Sequence, residues 1–117
     1  MRNRLGLVLA TLFLGAALQA QTTKKVLFIG NSYTSANNLA RLVDSLAIAD
    51  GHDLVYQVHA PGGETFKKHT ENPATFAYIR QQKWDYVVLQ EQSQIPSFSH
   101  SQFHTECVPY AKVLVDS

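Results

Sequence analysis

The chain has 117 residues, of which 45% are hydrophobic and 16% are charged, and its formal net charge is +1. This length allows at most one domain, and this composition is typical of a globular chain rather than a disordered one. The weak net charge argues against a basic surface for nucleic acid or an anionic membrane. The single cysteine, Cys107, excludes an internal disulfide framework, and we interpret it as a buried apolar residue.

The first twenty residues have the layout of a secretory signal peptide. Arg2 and Arg4 form a basic start, residues 5–17 are almost all apolar or small, and a polar stretch follows Ala20. We predict cleavage after Ala20, with cleavage after Ala17 as the alternative. The apolar run is shorter than the roughly 20 residues that a membrane-spanning helix needs. We therefore expect an exported protein, periplasmic or secreted, without a stable membrane anchor after cleavage.

The remaining residues, 21–117, alternate between strand-like and helix-like segments. Short apolar runs rich in β-branched and aromatic residues predict strands near 25–29, 54–59 and 84–90. Strands that alternate with helices imply parallel pairing. We therefore predict an α/β fold, a three-layer α/β/α sandwich of the flavodoxin-like kind, with the first strand in the centre of the sheet.

Apolar residues at helical spacing predict three helices: one that begins near Leu39 and is closed by Gly51, one over about 73–82 and one over 100–115. Asn37 or Asn38 is the expected cap of the first helix, and Pro109 is expected to interrupt or kink the third. Three strands are fewer than this architecture normally uses, and the sequence ends at Ser117 without a closing strand. We therefore expect this chain to be the N-terminal part of a larger domain.

Polar segments follow each predicted strand, at the edge where parallel α/β folds bind ligands. They comprise residues 30–34, 61–65 and 90–94, and they are rich in glycine, hydroxyl and amide groups. Ser32 lies at a strand-to-helix corner, where its hydroxyl is presented outward and backbone N–H groups point at a developing negative charge. The alternative is that Asn31, Ser32 and Thr34 are simply turn and capping residues.

These segments resemble the conserved blocks of the SGNH/GDSL hydrolase family. Val26–Thr34 is similar to the block in which Gly-Asp-Ser follows the first strand, with Asn31 in place of the aspartate. Gly62–Thr65 is similar to the second block, whose glycine precedes an acid and a threonine. Asp85–Leu89 resembles the strand that leads to the third block. The resemblance spans roughly residues 25–96.

Carried over to this sequence, the resemblance implies Ser32 as the nucleophile and the backbone N–H groups of Ser32 and Gly63 as oxyanion donors. The third block of the family ends in Gly-x-Asn-Asp, whereas residues 90–94 read Gln-Glu-Gln-Ser-Gln. We expect the amide of Gln92 to replace the family asparagine, with Gln94 as the alternative. The family's Asp-x-x-His block, which holds the base, has no counterpart here, so we expect this chain alone to be inactive.

The resemblance implies an esterase that needs no cofactor and hydrolyses an acyl ester, such as an acetyl ester, on a small molecule or carbohydrate. Tyr33, Asn31 and Glu64 are the expected substrate contacts. One alternative is a non-catalytic domain that binds a glycan or another small ligand in the same cleft. Another is a flavodoxin-like phosphate binder that uses residues 31–38, which the absence of a glycine-rich phosphate loop disfavours.

The remaining titratable residues favour structural roles. His100 and His104 have the i, i+4 spacing of a metal-binding pair. The sequence shows no third ligand, so we interpret both as exposed helix residues and predict no metal site. His59 is expected to be packed or partly exposed, and Glu91 is expected to be a solvated loop acid.

Overall fold

The computed structural model describes residues 22–117, so the predicted signal peptide, residues 1–20, lies outside the described part. The strands are β1 (Thr22–Ile29), β2 (His52–His59) and β3 (Tyr86–Leu89). The helices are α1 (Ser32–Ser35), α2 (Leu39–Ala49), α3 (Phe66–Glu71), α4 (Pro73–Arg80), α5 (His100–Glu106) and α6 (Val108–Val115). Short 3₁₀ turns cover Ala36–Asn38 and Ile95–Ser97.

The three strands form one parallel sheet in the order β2-β1-β3. The last four residues of β1, Val26 to Ile29, are buried, as expected for a central strand that is covered on both faces. Ile29 is in register with His59 of β2 and with Leu89 of β3, so all three strands end at the same level. This confirms the predicted parallel sheet with the first strand in the centre, and it brings the three polar loops to one edge.

The third strand is shorter than the predicted range 84–90. The Asp85 N–H donates to the Lys25 carbonyl (2.9 Å), and the Asp85 carboxylate accepts from the Lys25 N–H (2.8 Å). The Asp85 side chain thus accepts a hydrogen bond at the point where the next backbone hydrogen bond between the two strands would form. The Trp84 indole N–H donates to the Tyr78 carbonyl in α4 (3.1 Å). Trp84 therefore joins the strand to the preceding helix instead of extending the ladder.

Helices cover both faces of the sheet. On one face, Ala40 and Val43 of α2 pack against Val26 and Phe28 of β1. The other face is covered by a cluster that joins α3, α6 and the loop after β3. Its buried members are Phe66, Ile95, Cys107 and Leu114, and Leu89 of β3 packs against them. Each such side chain stabilises the fold by about 1.5–3 kcal/mol when fully buried. The result is the expected α/β arrangement, with the core on both sides of β1.

Two helices, α1 and α3, were not predicted. α3 is a six-residue helix directly after the second polar loop, and the Thr65 side chain caps it by accepting from the Lys68 N–H (3.2 Å). α4 begins at Pro73, as predicted, and the Asn72 side chain caps it by accepting from the Ala74 N–H (3.0 Å). Residues of this type at a helix start satisfy N–H groups that have no partner within the helix.

The other two helices differ from the prediction in detail. Asn38 precedes α2, but its side chain makes no capping hydrogen bond, and both Asn37 (φ 53°) and Asn38 (φ 55°) are left-handed. The predicted third helix is two helices, α5 and α6, that meet at Cys107. Pro109 lies in the first turn of α6, where its missing N–H costs least. No helix in residues 22–117 is long and apolar enough to cross a membrane.

Candidate active site

Asn31 holds the turn between β1 and α1 and joins it to the loop after β2. Its side chain is only 1% exposed. The Oδ1 atom accepts from the Tyr33 N–H (3.1 Å), and Nδ2 donates to the Glu64 carbonyl (3.0 Å). The sequence predicts a substrate contact for Asn31, whereas the folded chain uses both polar ends of the side chain to hold two loops together.

Gln90 joins the same turn to the loop after β3. Its Oε1 atom accepts from the Asn31 N–H (3.1 Å) and from the Thr34 hydroxyl (2.8 Å), and its amide nitrogen donates to the Glu91 carbonyl. Gly30 lies beneath this contact. A Cβ at Gly30 would lie 2.2 Å from Thr34 Oγ1 and 2.7 Å from Gln90 Oε1. The close approach of the two loops therefore requires glycine at this position.

Glu91 completes the set of links between the loops. Its Oε1 atom accepts from the N–H groups of Phe66 (2.9 Å) and Gln92 (2.7 Å), which fixes the third loop to the start of α3. Oε2 is buried and has no N–H or O–H donor among residues 22–117. The neighbouring Cys107 thiol has its pKa raised by burial and by the negative charge of Glu91. Glu91 is thus a half-buried anchor rather than the solvated acid that the sequence predicts.

Ser32 is the first residue of α1, and its side chain is exposed. The Asn31 side chain caps α1 by accepting from the Tyr33 N–H, and it does not accept from the Ser32 N–H. Within residues 22–117, neither the Ser32 N–H nor its hydroxyl donates a hydrogen bond. The Ser32 hydroxyl and its own N–H are therefore both available to a ligand.

A shallow pocket of about 260 Å³ lies at this corner, lined by Ser32, Tyr33 and Ala36. The Tyr33 ring is 67% exposed beside it. An exposed aromatic ring next to a free hydroxyl offers an apolar surface against which part of a small ligand can lie. The pocket is open to solvent.

Gly63 and Gln92 each carry a free N–H donor. Gly63 has a positive φ of 69°, which favours glycine, and its N–H donates to no group within residues 22–117. Gln92 Oε1 accepts from the Gln94 N–H (2.7 Å), which leaves the Nε2 end of the Gln92 amide without a described partner. Gln94 itself is exposed. The assignment of Gln92 as a donor stays a prediction.

A buried chain of hydrogen bonds supports the turn from below. The fully buried His69 has Nε2 2.7 Å from the Gly30 carbonyl, which only accepts, so Nε2 carries the proton. His69 Nδ1 lies 3.0 Å from the Thr75 hydroxyl, and the same hydroxyl lies 3.1 Å from His59 Nε2. Thr75 therefore bridges the two rings, and the chain of hydrogen bonds runs from His59 to the Gly30 carbonyl.

His59 lies at the half-exposed end of this chain. Its ring stacks on Tyr78 (centroids 4.8 Å apart) and meets His69 edge-on (5.5 Å). Burial lowers the pKa of His59, the neighbouring His69 lowers it further, and the carboxylate of Glu64 opposes both effects. His59 is therefore packed, as the sequence predicts. Its described hydrogen bond is to Thr75 and not to Ser32.

The described part of the chain contains neither a base bonded to Ser32 nor a cluster of metal-binding side chains. No histidine or carboxylate hydrogen-bonds to the Ser32 hydroxyl in residues 22–117, so these residues supply no base to it. The same range contains no group of three or more histidine, cysteine, aspartate or glutamate side chains that could hold a metal ion.

No contact within the site is predicted from the sequence for four residues of this network: Thr34, His69, Thr75 and Gln90. The position of Gln90 directly after an apolar strand is a signal that was available. His69 lies three residues after the buried Phe66, which places both on one face of a helix. Thr75 carries no such signal, because a threonine near a helix start is usually solvated.

Comparisons with protein-family models, with curated proteins and with solved structures found no match to this chain. The fold and the site define its class at a coarser level. It is an α/β protein with a parallel three-stranded sheet and helices on both faces. The carboxyl ends of its strands carry polar loops that hydrogen-bond to one another around an exposed serine.

Proposed function

We propose that this chain is the N-terminal part of an exported serine esterase of the SGNH/GDSL kind, in a branch whose first block reads Gly-Asn-Ser. The observation that supports this proposal most is that Ser32 is not engaged in donating hydrogen bonds. Its hydroxyl and backbone N–H are free within the described residues, while Asn31 and Gln90 hold the turn around it. A free hydroxyl on a turn held by buried hydrogen bonds supports a role as nucleophile, which also needs a base within hydrogen-bond reach.

In the proposed reaction, Ser32 Oγ attacks the carbonyl carbon of an ester and gives up its proton to a base. The carbonyl oxygen becomes an oxyanion that accepts hydrogen bonds from the N–H groups of Ser32 and Gly63 and from Gln92 Nε2. Collapse of this intermediate releases the alcohol and leaves an acyl group on Ser32. Water then attacks the acyl-enzyme, releases the acid and restores the serine.

The identity of the base rests on the resemblance to the family alone. In the family it is the histidine of the Asp-x-x-His block, and we expect that block downstream of Ser117. His59 and His69 do not take this role, because their hydrogen bonds are made to Thr75 and to the Gly30 carbonyl.

The proposed substrate is an acyl ester, such as an acetyl ester, on an exported small molecule or carbohydrate. The exposed ring of Tyr33 offers one wall, and the half-exposed Glu64 offers a carboxylate that accepts from substrate hydroxyls. Acyl transfer to water needs a nucleophile, a base and oxyanion donors, so the proposal includes no cofactor.

The test compares the full-length secreted protein with its Ser32→Ala variant, using an aryl acetate for turnover and a fluorophosphonate for covalent labelling. Loss of the nucleophile should lower kcat by roughly 10⁴-fold or more and abolish labelling. Ser45→Ala is the matched control, since Ser45 is an exposed helix serine whose hydroxyl donates only to the Arg41 carbonyl. It should leave both signals unchanged.

Two results would replace the proposal. Full activity in the Ser32→Ala variant would remove Ser32 from the mechanism. A full-length wild-type protein that neither hydrolyses esters nor takes the probe, yet binds glycans, would favour the non-catalytic binding domain instead.

A further inference from the structure

Helix α5 presents two histidines on one exposed face, one turn apart. His100 and His104 are both exposed, and their Nε2 atoms lie 3.1 Å from each other. The ring centroids are 4.4 Å apart. Residues at i and i+4 share a helix face, so the regular backbone of α5 itself sets this separation. The pair makes no described hydrogen bond to the loops around Ser32 and plays no part in the proposed esterase.

The separation of the two nitrogens matches a shared metal ion. A histidine nitrogen binds a first-row divalent metal at about 2.0–2.1 Å. Two such nitrogens on one ion are therefore about 2.9 Å apart at a right angle and about 3.3 Å apart at a tetrahedral angle. The observed 3.1 Å lies between these values. In the structure these two nitrogens share a hydrogen bond, so a bound metal ion replaces the shared proton while both rings stay on one face of the helix.

We propose that His100 and His104 form a two-histidine binding site for a divalent transition-metal ion, with Cu²⁺ bound most tightly. Imidazole suits Cu²⁺, Ni²⁺ and Zn²⁺, and the affinity order of these metals places Cu²⁺ first. The near-right angle between the two ligands also fits the tetragonal geometry that Cu²⁺ and Ni²⁺ prefer. This assignment departs from the sequence-based prediction that the pair has only a structural role.

The residues around His100 and His104 leave the proposed metal site open to solvent. The edge of the Phe103 ring packs against His104 at a centroid distance of 6.1 Å, which restricts that imidazole. Glu106 follows His104 by two positions and so lies on a different side of the helix. Within residues 22–117 the described ligands are the two imidazoles, so water or an external ligand fills the remaining positions. Such a site is accessible from solvent.

The decisive experiment titrates the purified protein with CuCl₂, by calorimetry and by electron paramagnetic resonance, which reports nitrogen ligands on Cu²⁺. We expect one equivalent of Cu²⁺ with two imidazole ligands. His100→Gln and His104→Gln should each weaken binding on the order of 100-fold, because the second ligand acts at high effective concentration. The matched control is His52→Gln, which removes another exposed histidine and should leave the affinity unchanged.

A register control separates the pair from a general effect of histidine content. The double variant His104→Gln with Thr105→His keeps five histidines but moves the second one off the shared face. Binding should stay as weak as in His104→Gln. The proposal is overturned if this double variant restores wild-type affinity, if either single variant binds Cu²⁺ as tightly as wild type, or if the loss follows His52 instead.

Discussion

Individual polar side chains stabilise the candidate site, and the Thr75 hydroxyl is one whose contribution to stability can be measured. Thr75 is fully buried between His69 and His59, and its hydroxyl bridges the two rings. Thr75→Val should lower the free energy of unfolding by about 1–3 kcal/mol, because two buried ring nitrogens lose their partner. Urea denaturation followed by the fluorescence of Trp84, the single tryptophan, measures the change.

Thr75→Ser is the matched control for this prediction. It keeps the hydroxyl and removes one methyl group, so it should cost only about 0.8 kcal/mol. An equal loss in the two variants would show that Thr75 acts by packing and not through the hydrogen-bonded chain.

The lowered pKa of His59 predicts how stability changes with pH. The unfolded chain takes up a proton on this histidine near pH 6.5, whereas burial and His69 keep the folded ring neutral to lower pH. The unfolded state therefore binds more protons between these two pKa values. The contribution of His59 is complete above pH 6.5 and is lost as the pH falls through the folded-state pKa.

Free energies of unfolding measured from pH 8 to pH 5 test the direction in which stability changes. The wild-type protein should lose stability below pH 6.5 more steeply than His59→Gln, which carries no titrating group at that position. A steeper loss in the variant would contradict the lowered pKa.

At the scale of elements, the end of β1 and the start of α1 are packed without room for a side chain between them. Gly30→Ala would place a methyl group 2.2 Å from Thr34 Oγ1, so the loops that meet there must shift. We expect a loss of about 1–3 kcal/mol in the free energy of unfolding. We also expect weaker fluorophosphonate labelling of Ser32 in the full-length protein, because the turn that carries it moves.

Gly62→Ala is the matched control, since a Cβ at Gly62 meets no atom within 4 Å and its φ is not positive. It should change the unfolding free energy by less than about 1 kcal/mol. A Gly30→Ala variant as stable as Gly62→Ala would show that the contact between the loops can relax.

For the molecule as a whole, the exposed edge of the sheet is the least protected feature. β3 is an edge strand, and Tyr86, Val87 and Val88 are each at least 40% exposed. An apolar groove of about 550 Å³ runs beside it, between β3 and α2. An exposed apolar edge strand pairs readily with another copy, and the small net charge gives little repulsion.

We therefore expect this chain by itself to associate as its concentration rises, as measured by light scattering. Val88→Lys on β3 should reduce the association, because a charged edge resists strand pairing. Val115→Lys, at the exposed end of α6, adds the same charge away from the sheet and should have a smaller effect. Equal effects from both variants would assign the association to net charge alone.

Local patterns in the sequence determined the strands, the alternation of strands with helices and the parallel sheet. Val26 to Ile29 reads as a strand buried on both faces because all four neighbouring residues are apolar, and burial of that strand follows in the structure. The same reasoning placed Ser32 at a strand-to-helix corner and brought all three polar loops to one edge. These features depend on residues close together in the chain, so a single sequence carries them.

The tertiary structure alone decided which polar groups meet. Asn31 pairs with Gln90, 59 positions away, and with Glu64, 33 positions away, while His69 reaches the Gly30 carbonyl across 39 positions. No periodicity marks such partners, because a polar side chain in a loop or on a short helix looks solvated until another loop packs over it. Burial removes the competing water, so a partner within about 3 Å then determines the role of each group.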